Sequence, residues 1–138
     1  LFNFNAGLPE GLVYDTEPAC RALVTARNLA PELVWPLARL IQRAFYTEGV
    51  DVTRASVLVE LAERAGIPRI VFAEAFDSAA QRAATAADFC WTQDLGIAGF
   101  PTLLAERNGQ LALLTNGYQP LDVLQPLLTR WLERVAHA

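Results

Sequence analysis

An α/β chain is predicted, with its helices first and its strands late. Three observations carry that reading. Apolar residues recur at helical spacing through nearly all of residues 16 to 95. Two short apolar runs then flank Asn108-Gly109, a dipeptide suited to a two-residue hairpin because both turn positions need positive φ. A last amphipathic stripe follows Pro120.

Residues 1 to 15 read as an irregular lead-in, punctuated by Asn3, Asn5, Gly7, Pro9 and Gly11, with only Leu12-Val13-Tyr14 extended. Asp15 or Thr16 caps the first helix, whose first turn holds Glu17 and Pro18, a place where proline loses no helical hydrogen bond; the helix runs to about Ala30. Pro31 and Pro36 fall near the start of a second helix, bent or begun late at Pro36, with Leu33, Leu37, Leu40, Ile41, Ala44 and Phe45 at helical spacing until Gly49. Thr53 or Asp51 caps a third, carrying the stripe Val57, Leu58, Leu61 and Ala65 and stopping at Gly66, with Pro68 beyond. Pro68 to Phe76 makes a short fourth. Asp77-Ser78 caps a fifth, alanine-rich, from Ala79 to about Leu95, ended by Gly96. The strands are Thr102 to Arg107 and Gln110 to Thr115. Pro120 opens the closing helix, whose stripe of Leu121, Leu124, Leu128, Trp131, Leu132 and Val135 is expected to cover the hairpin, with Pro126 in its first two turns.

Composition excludes several classes. A chain of 138 residues is one domain in size, so residues 1–138 are read as a single domain without linker or repeat. Hydrophobic residues at 53% against 19% charged place it outside the disordered range. Charges interrupt every apolar run well short of the roughly 18 residues a membrane span needs. Fifteen acids against eleven basic residues, all arginine, leave a net charge of −4 and no basic stripe, which argues against nucleic acid. Cys20 and Cys90 form neither a disulfide framework nor a metal-ligand set, and the lone His137, expected to be frayed, adds none; no metal or cofactor is expected. The chain opens on Leu1 and contains no methionine, so a fragment of a longer gene product is expected.

The segment Gly96-Ile97-Ala98-Gly99-Phe100-Pro101-Thr102-Leu103-Leu104, with its Asn-Gly hairpin, Gly117-Tyr118 and terminal helix, resembles the closing half of a thioredoxin-like fold. The helical run before it, headed by Tyr14-Asp15-Thr16-Glu17-Pro18-Ala19-Cys20, resembles the helical insertion of the bacterial DsbA family, in the branch of protein-disulfide isomerases related to FrnE. The resemblance spans essentially the whole chain. It implies the C-terminal part of a DsbA-type fold, truncated, with the helical insertion at 16–95 and the proline loop, hairpin and closing helix at 96–138. It also implies a cis bond between Phe100 and Pro101. An X-Pro bond tolerates that because its trans preference is only about 0.5–1 kcal/mol, and proline deletes an amide donor where a strand begins. Phe100, Pro101 and Thr102 are then the substrate-binding residues, with Phe100 offering its backbone N–H and C=O to the flanks of a substrate cysteine.

One departure from the family is decisive for the chemistry. The family's redox step needs a CxxC at a helix N-terminus, where dipole and free amides lower a thiol's pKa; this sequence has none, so no catalytic residue is assigned and the chain alone is expected to be inactive. Cys20, early in a capped helix, is read chiefly as a packed residue rather than a reactive or resolving thiol, and Cys90, between Phe89 and Trp91, as core. A Cys20–Cys90 disulfide has no spacing signal behind it. Trp35, Phe45, Tyr46, Phe72, Phe76, Phe89 and Trp91 are read mainly as core, and Glu60 and Glu63 as solvated partners of Arg64.

The resulting expectation is part of a thiol-disulfide oxidoreductase or isomerase acting on a polypeptide or a small thiol or disulfide. Two alternatives stand beside it: a 2-hydroxychromene-2-carboxylate isomerase or kappa-class glutathione transferase of similar architecture, and a non-catalytic helical binding module. Unpaired cysteines fit a cytoplasmic location, with the periplasm open if a leader precedes Leu1. Without upstream strands, Thr102 to Arg107 keeps an apolar edge whose expected fates are a homodimer, a swapped or retained partner segment, or a disordered hairpin.

Overall fold

Helix termini and turns come first in the structure, a computed structural model that describes the backbone of residues 2–136 and the side chains of 2–134. His137 therefore lies outside the described residues, as does the side chain of Val135. The elements are α1 (Glu17–Leu29), a 3₁₀ turn (Pro31–Leu33), α2 (Val34–Tyr46), α3 (Ala55–Ala65), α4 (Arg69–Phe76), α5 (Ala79–Asp94), β1 (Thr102–Arg107), β2 (Gln110–Asn116) and α6 (Leu121–Ala136). They form two compact units, Leu1–Cys90 and Trp91–Ala138.

In the first unit, α1 to α4 surround one core. Ala22 and Ala26 of α1 let its backbone come close to Leu37 and Ile41 of α2, Leu58 and Leu61 of α3, and Phe72 of α4. Each fully buried large side chain among these contributes roughly 1.5–3 kcal/mol. Phe72 and Phe76, one turn apart, stack at 5.7 Å between centroids. Gly66 ends α3 with φ 112°; its N–H donates to Glu63 O at 3.0 Å and the Ile67 N–H to Ala62 O at 3.0 Å, so both orphan carbonyls are satisfied and buried Ile67 is carried into the core.

Arg21 is the one charge this core accepts: it is 6% exposed. Its Nη1 donates to the Phe76 carbonyl at 3.2 Å, at the C-terminal end of α4, and its guanidinium carbon lies 4.1 Å from the Phe76 ring centroid. Nε lies 3.2 Å from a Glu17 oxygen, at ion-pair distance but without hydrogen-bond alignment. A cation at a helix C-terminus, over an aromatic face and beside a carboxylate, keeps three sources of compensation for its lost water. Buried Thr25 and Thr85 solve the same problem locally, each hydroxyl donating to the carbonyl four residues back.

Several caps differ from expectation. Arg54, not Thr53 or Asp51, is the N-cap of α3, because the Asp51 carboxylate is already taken by the Thr53 N–H and hydroxyl. Thr16 occupies the α1 cap position without a side-chain bond, and Asp15 accepts from the Glu17 N–H instead. Pro36 does not begin the second helix; α2 starts at Val34, and a proline in its first turn costs no bond. Glu63 pairs with Arg69 rather than Arg64, at 3.0 and 3.2 Å, because the turn at Gly66 brings the start of α4 back beside it.

The aromatic expectation holds for Phe72 and Phe76, with Phe45 half-buried, and fails for Trp35 (76% exposed), Tyr46, Phe89 and Trp91. Cys90 is exposed as well, not core. On α5 the inward stripe is Gln81, Thr85 and Asp88: Asn28 donates to Gln81 at 2.8 Å and Arg27 to Asp88 at 2.7 Å, while Thr85 is buried. Phe89, Cys90 and Trp91 fall off that stripe.

In the second unit, β1 and β2 pair antiparallel from Thr102↔Asn116 to Arg107↔Gln110, with a bulge between Leu103 and Leu104. Asn108 (φ 52°) and Gly109 (φ 76°) make the turn. The hairpin is formed, so a disordered hairpin is not the outcome. Of the expected stripe of α6, Leu124 and Trp131 are half-buried and Leu127 joins them, whereas Leu121, Leu128 and Leu132 are exposed. No helix among the described residues is long and apolar enough to cross a membrane.

Arg21→Met keeps the length of the side chain but leaves the Phe76 carbonyl and Glu17 without their cation. We expect a loss of about 2–3 kcal/mol in urea unfolding, and a loss below about 0.5 kcal/mol would show the cation to be dispensable.

Candidate functional site

The loop between α5 and β1 is built by two glycines, Gly96 and Gly99, and a proline. Gly96 (φ 73°) closes α5: its N–H donates to Gln93 O at 2.9 Å and the Ile97 N–H to Thr92 O at 3.3 Å, the paired bonds by which a left-handed residue ends a helix. The chain then turns through Ala98 and Gly99 into a Phe100-Pro101 bond that is cis.

Two hydrogen bonds hold the residues on either side of Phe100. The Thr102 hydroxyl donates to the Gly99 carbonyl at 2.7 Å. The Gly117 N–H donates to the Pro101 carbonyl at 2.8 Å, extending the ladder of β1 and β2 one residue past Thr102↔Asn116. Phe100 itself is 82% exposed, and among the described residues neither its N–H nor its C=O has a hydrogen-bond partner. The structure thus brings Phe100, Pro101 and Thr102 together, with one difference of role: the Thr102 hydroxyl turns back to the loop. A concavity of about 360 Å³ and mixed polarity opens in the same unit, walled by Leu95, Ile97, Leu104, Leu111 and Leu113 together with Thr102 and Asn116.

The two thiols offer no redox pair. Both are free. Half-buried Cys20 has its pKa raised, first by burial and then by the negative charges of Glu17 and Asp15. Those carboxylates lie at the same helix start whose dipole favours a thiolate, and together with burial they outweigh it. No cluster of histidine, cysteine or carboxylate able to hold a metal occurs among the described residues.

One feature escaped the sequence reading. The lead-in is fastened to the end of α2: the Asn3 N–H donates to Tyr46 O at 2.9 Å and its Nδ2 to Thr47 O at 3.1 Å. Gly49 (φ 67°) approaches so closely that a Cβ there would lie 3.2 Å from Ala6 O. Between ring centroids, Phe2 lies 5.0 Å from Tyr46 and 4.7 Å from Phe4, and Tyr14 lies 6.2 Å from Phe45, beside a concavity of about 490 Å³. The alternation Phe2-x-Phe4 was the only signal for it.

Comparison with known proteins follows the same residues. A family model described as the DSBA-like thioredoxin domain matches residues 2–129. A crystal structure from Nitrosomonas europaea, provisionally named a protein disulfide isomerase, is similar at 42% identity with TM-score 0.89, over 97% of this chain and 66% of that one. The cytosolic disulfide reductase DsbM of Pseudomonas aeruginosa matches at 33% identity and TM-score 0.75, over 95% of this chain and 68% of that one. Its structure with GSH matches at 36% identity and TM-score 0.68, over 86% and 60%. The chain thus spans about two thirds of the length of these relatives. No curated protein matches.

Iodoacetamide distinguishes the thiols. At pH 8 exposed Cys90 is expected to be alkylated first, with Cys20 at least about tenfold slower and speeding up as pH rises beyond the ordinary thiol range. Equal rates by mass spectrometry would contradict the raised pKa at Cys20.

Proposed function

The chain belongs to the DSBA-like thioredoxin domain family, and from that premise we propose that it is the substrate-facing part of a thiol-disulfide oxidoreductase or isomerase. The observation that carries the reading is the exposed, unpaired backbone of Phe100 between two carbonyls already engaged inside the unit. An extended segment flanking a substrate cysteine pairs with that N–H and C=O as a short added strand. Pro101, lacking an N–H and having its carbonyl engaged by Gly117, does not compete for the same partner.

The cysteine pair lies, on this reading, in a part of the protein outside this chain, and residues 1–138 form one truncated thioredoxin-like domain. A thiolate of that pair attacks one sulfur of the substrate disulfide, releasing the other as a thiolate. The second cysteine of the pair then displaces the bound substrate sulfur, so the substrate leaves with two thiols and the pair becomes a disulfide. The disulfide isomerase and reductase names of the relatives support this chemistry over the carboxylate isomerase and glutathione transferase alternative. The DsbM structure with GSH supports glutathione as the small thiol that returns the pair to its reduced state, and DsbM's cytosolic location supports the same compartment here.

With glutathione as reductant, protein expressed from the complete gene is expected to reduce insulin, while this chain alone leaves the background rate unchanged. Equal rates from the two would defeat the assignment of the chemistry to residues outside it.

The free edge of β1 belongs to the same reading. With Leu103 exposed on it, and Leu111 and Leu113 exposed on its partner strand, the isolated chain is expected to pair edge to edge as a homodimer. Sedimentation velocity giving a monomer at micromolar concentration would oppose that.

A further inference from the structure

We infer that Thr102 is a positioning residue, whose hydroxyl holds Gly99 and thereby sets the direction in which Phe100 presents its backbone to a polypeptide substrate. The inference rests on the reading of Phe100 as the pairing residue and goes beyond it, since Thr102 then acts without touching substrate.

The argument begins with what the loop would do unaided. Gly96 and Gly99 stand within four residues, and a Cβ placed on Gly99 would meet no atom within 4 Å. Space and sterics therefore do not hold this backbone, and glycine gives it the widest choice of conformation. From Gly99 to Pro101, the bonds that restrict it are those at its two ends. The Gly117 N–H fixes the Pro101 carbonyl to the end of β2, which anchors the loop after Phe100. Before Phe100, the anchor is the 2.7 Å bond from the Thr102 hydroxyl to Gly99 O.

Threonine is well suited to that task. Its branched Cβ restricts χ1, so the hydroxyl is held toward Gly99 rather than swinging to water, and the same branching suits the first residue of a strand. A free loop would have to be ordered when the substrate binds, and that cost would fall on affinity; a loop ordered beforehand avoids it. A small disulfide, which has no extended backbone to pair, would draw no benefit from the bond.

The test uses the protein expressed from its complete gene, with Thr102→Val, which keeps shape and removes the hydroxyl, and Thr102→Ser, which restores it. With insulin, T102V is expected to raise KM about five- to tenfold, the weight of one hydrogen bond, with kcat little changed. With glutathione as reductant, the KM for bis(2-hydroxyethyl) disulfide, which carries no peptide groups, should change less than about twofold, and T102S should recover most of the insulin KM. A second measurement reads the site without catalysis: the ¹⁵N–¹H signal of Phe100 titrated with an insulin B-chain peptide whose cysteines are serine. A wild-type Phe100 signal that ignores the peptide sinks the reading of Phe100, and the inference with it. A signal that responds equally in wild type and T102V sinks the inference alone, as does a T102V defect of the same size with both substrates.

Discussion

One short stretch of pairing organises the second unit. The ladder between β1 and β2 does not end at Thr102 but continues to Pro101, whose carbonyl accepts from Gly117. Because proline has no N–H, the ladder can take only an acceptor there, and the chain on the other side of the bond is free to turn. Phe100 is the residue at that turn. Among the described residues its backbone N–H and C=O have no hydrogen-bond partner, while the two carbonyls flanking it are engaged at 2.7 and 2.8 Å. An unpaired N–H and C=O on a loop held at both ends are a different object from the same groups on a mobile loop. The first can add a strand at little ordering cost, and the second cannot.

The helical unit rests on a different kind of constraint. Its core is closed by alanines on α1 and by leucines, isoleucine and phenylalanine on α2 to α4, and its one buried cation ties the start of α1 to the end of α4. A methionine at position 21 would fill the same space. Arginine instead spans the Phe76 carbonyl, the Phe76 ring and Glu17, three partners whose directions differ, so the α1 and α4 ends are fixed in angle as well as distance. Cys20 sits beside this arrangement and inherits its electrostatics. Burial raises the Cys20 pKa first, and the same carboxylate that faces Arg21 at 3.2 Å adds to it. A helix start that could have activated a thiol is thereby committed to packing.

Elements set by local chemistry were legible in the sequence. Gly66 and Gly96 end their helices in left-handed conformations, Asn108-Gly109 turns the hairpin, and Pro68 and Pro120 stand immediately before α4 and α6. Each depends on the residue itself or on neighbours within one turn. What could not be read depends on partners distant in sequence. The salt bridge from Glu63 goes to Arg69 because a turn intervenes, and α5 turns Thr85 inward because Arg27 and Asn28 reach Asp88 and Gln81 from α1. On α6 the expected Leu124 and Trp131 are half-buried, but Leu127 completes the face in place of Leu121, Leu128 and Leu132, which fit helical spacing equally well; the neighbouring strand selects between them. The loop was legible as a motif, whereas the inward turn of the Thr102 hydroxyl was not, because threonine beginning a strand has the same sequence signature whichever way its oxygen points.

This separation of local from distant signals bears on how the chemistry is divided. Thiol exchange needs a low-pKa cysteine and a surface that presents the substrate disulfide to it, and the two requirements pull on different residues. A thiolate is favoured by free amides and positive charge. A presenting edge is favoured by unpaired but rigid backbone. At Gly99 to Thr102 the Phe100 backbone is unpaired among the described residues and its neighbours are held by two hydrogen bonds, whereas neither thiol meets the first requirement: Cys20 is half-buried beside two carboxylates, and Cys90 stands on α5 without a second cysteine in CxxC spacing. A protein in which Cys20 were the nucleophile would have no use for carboxylates at positions 15 and 17, since each makes the thiolate harder to form. Their presence is intelligible if that helix start serves Arg21 and the core.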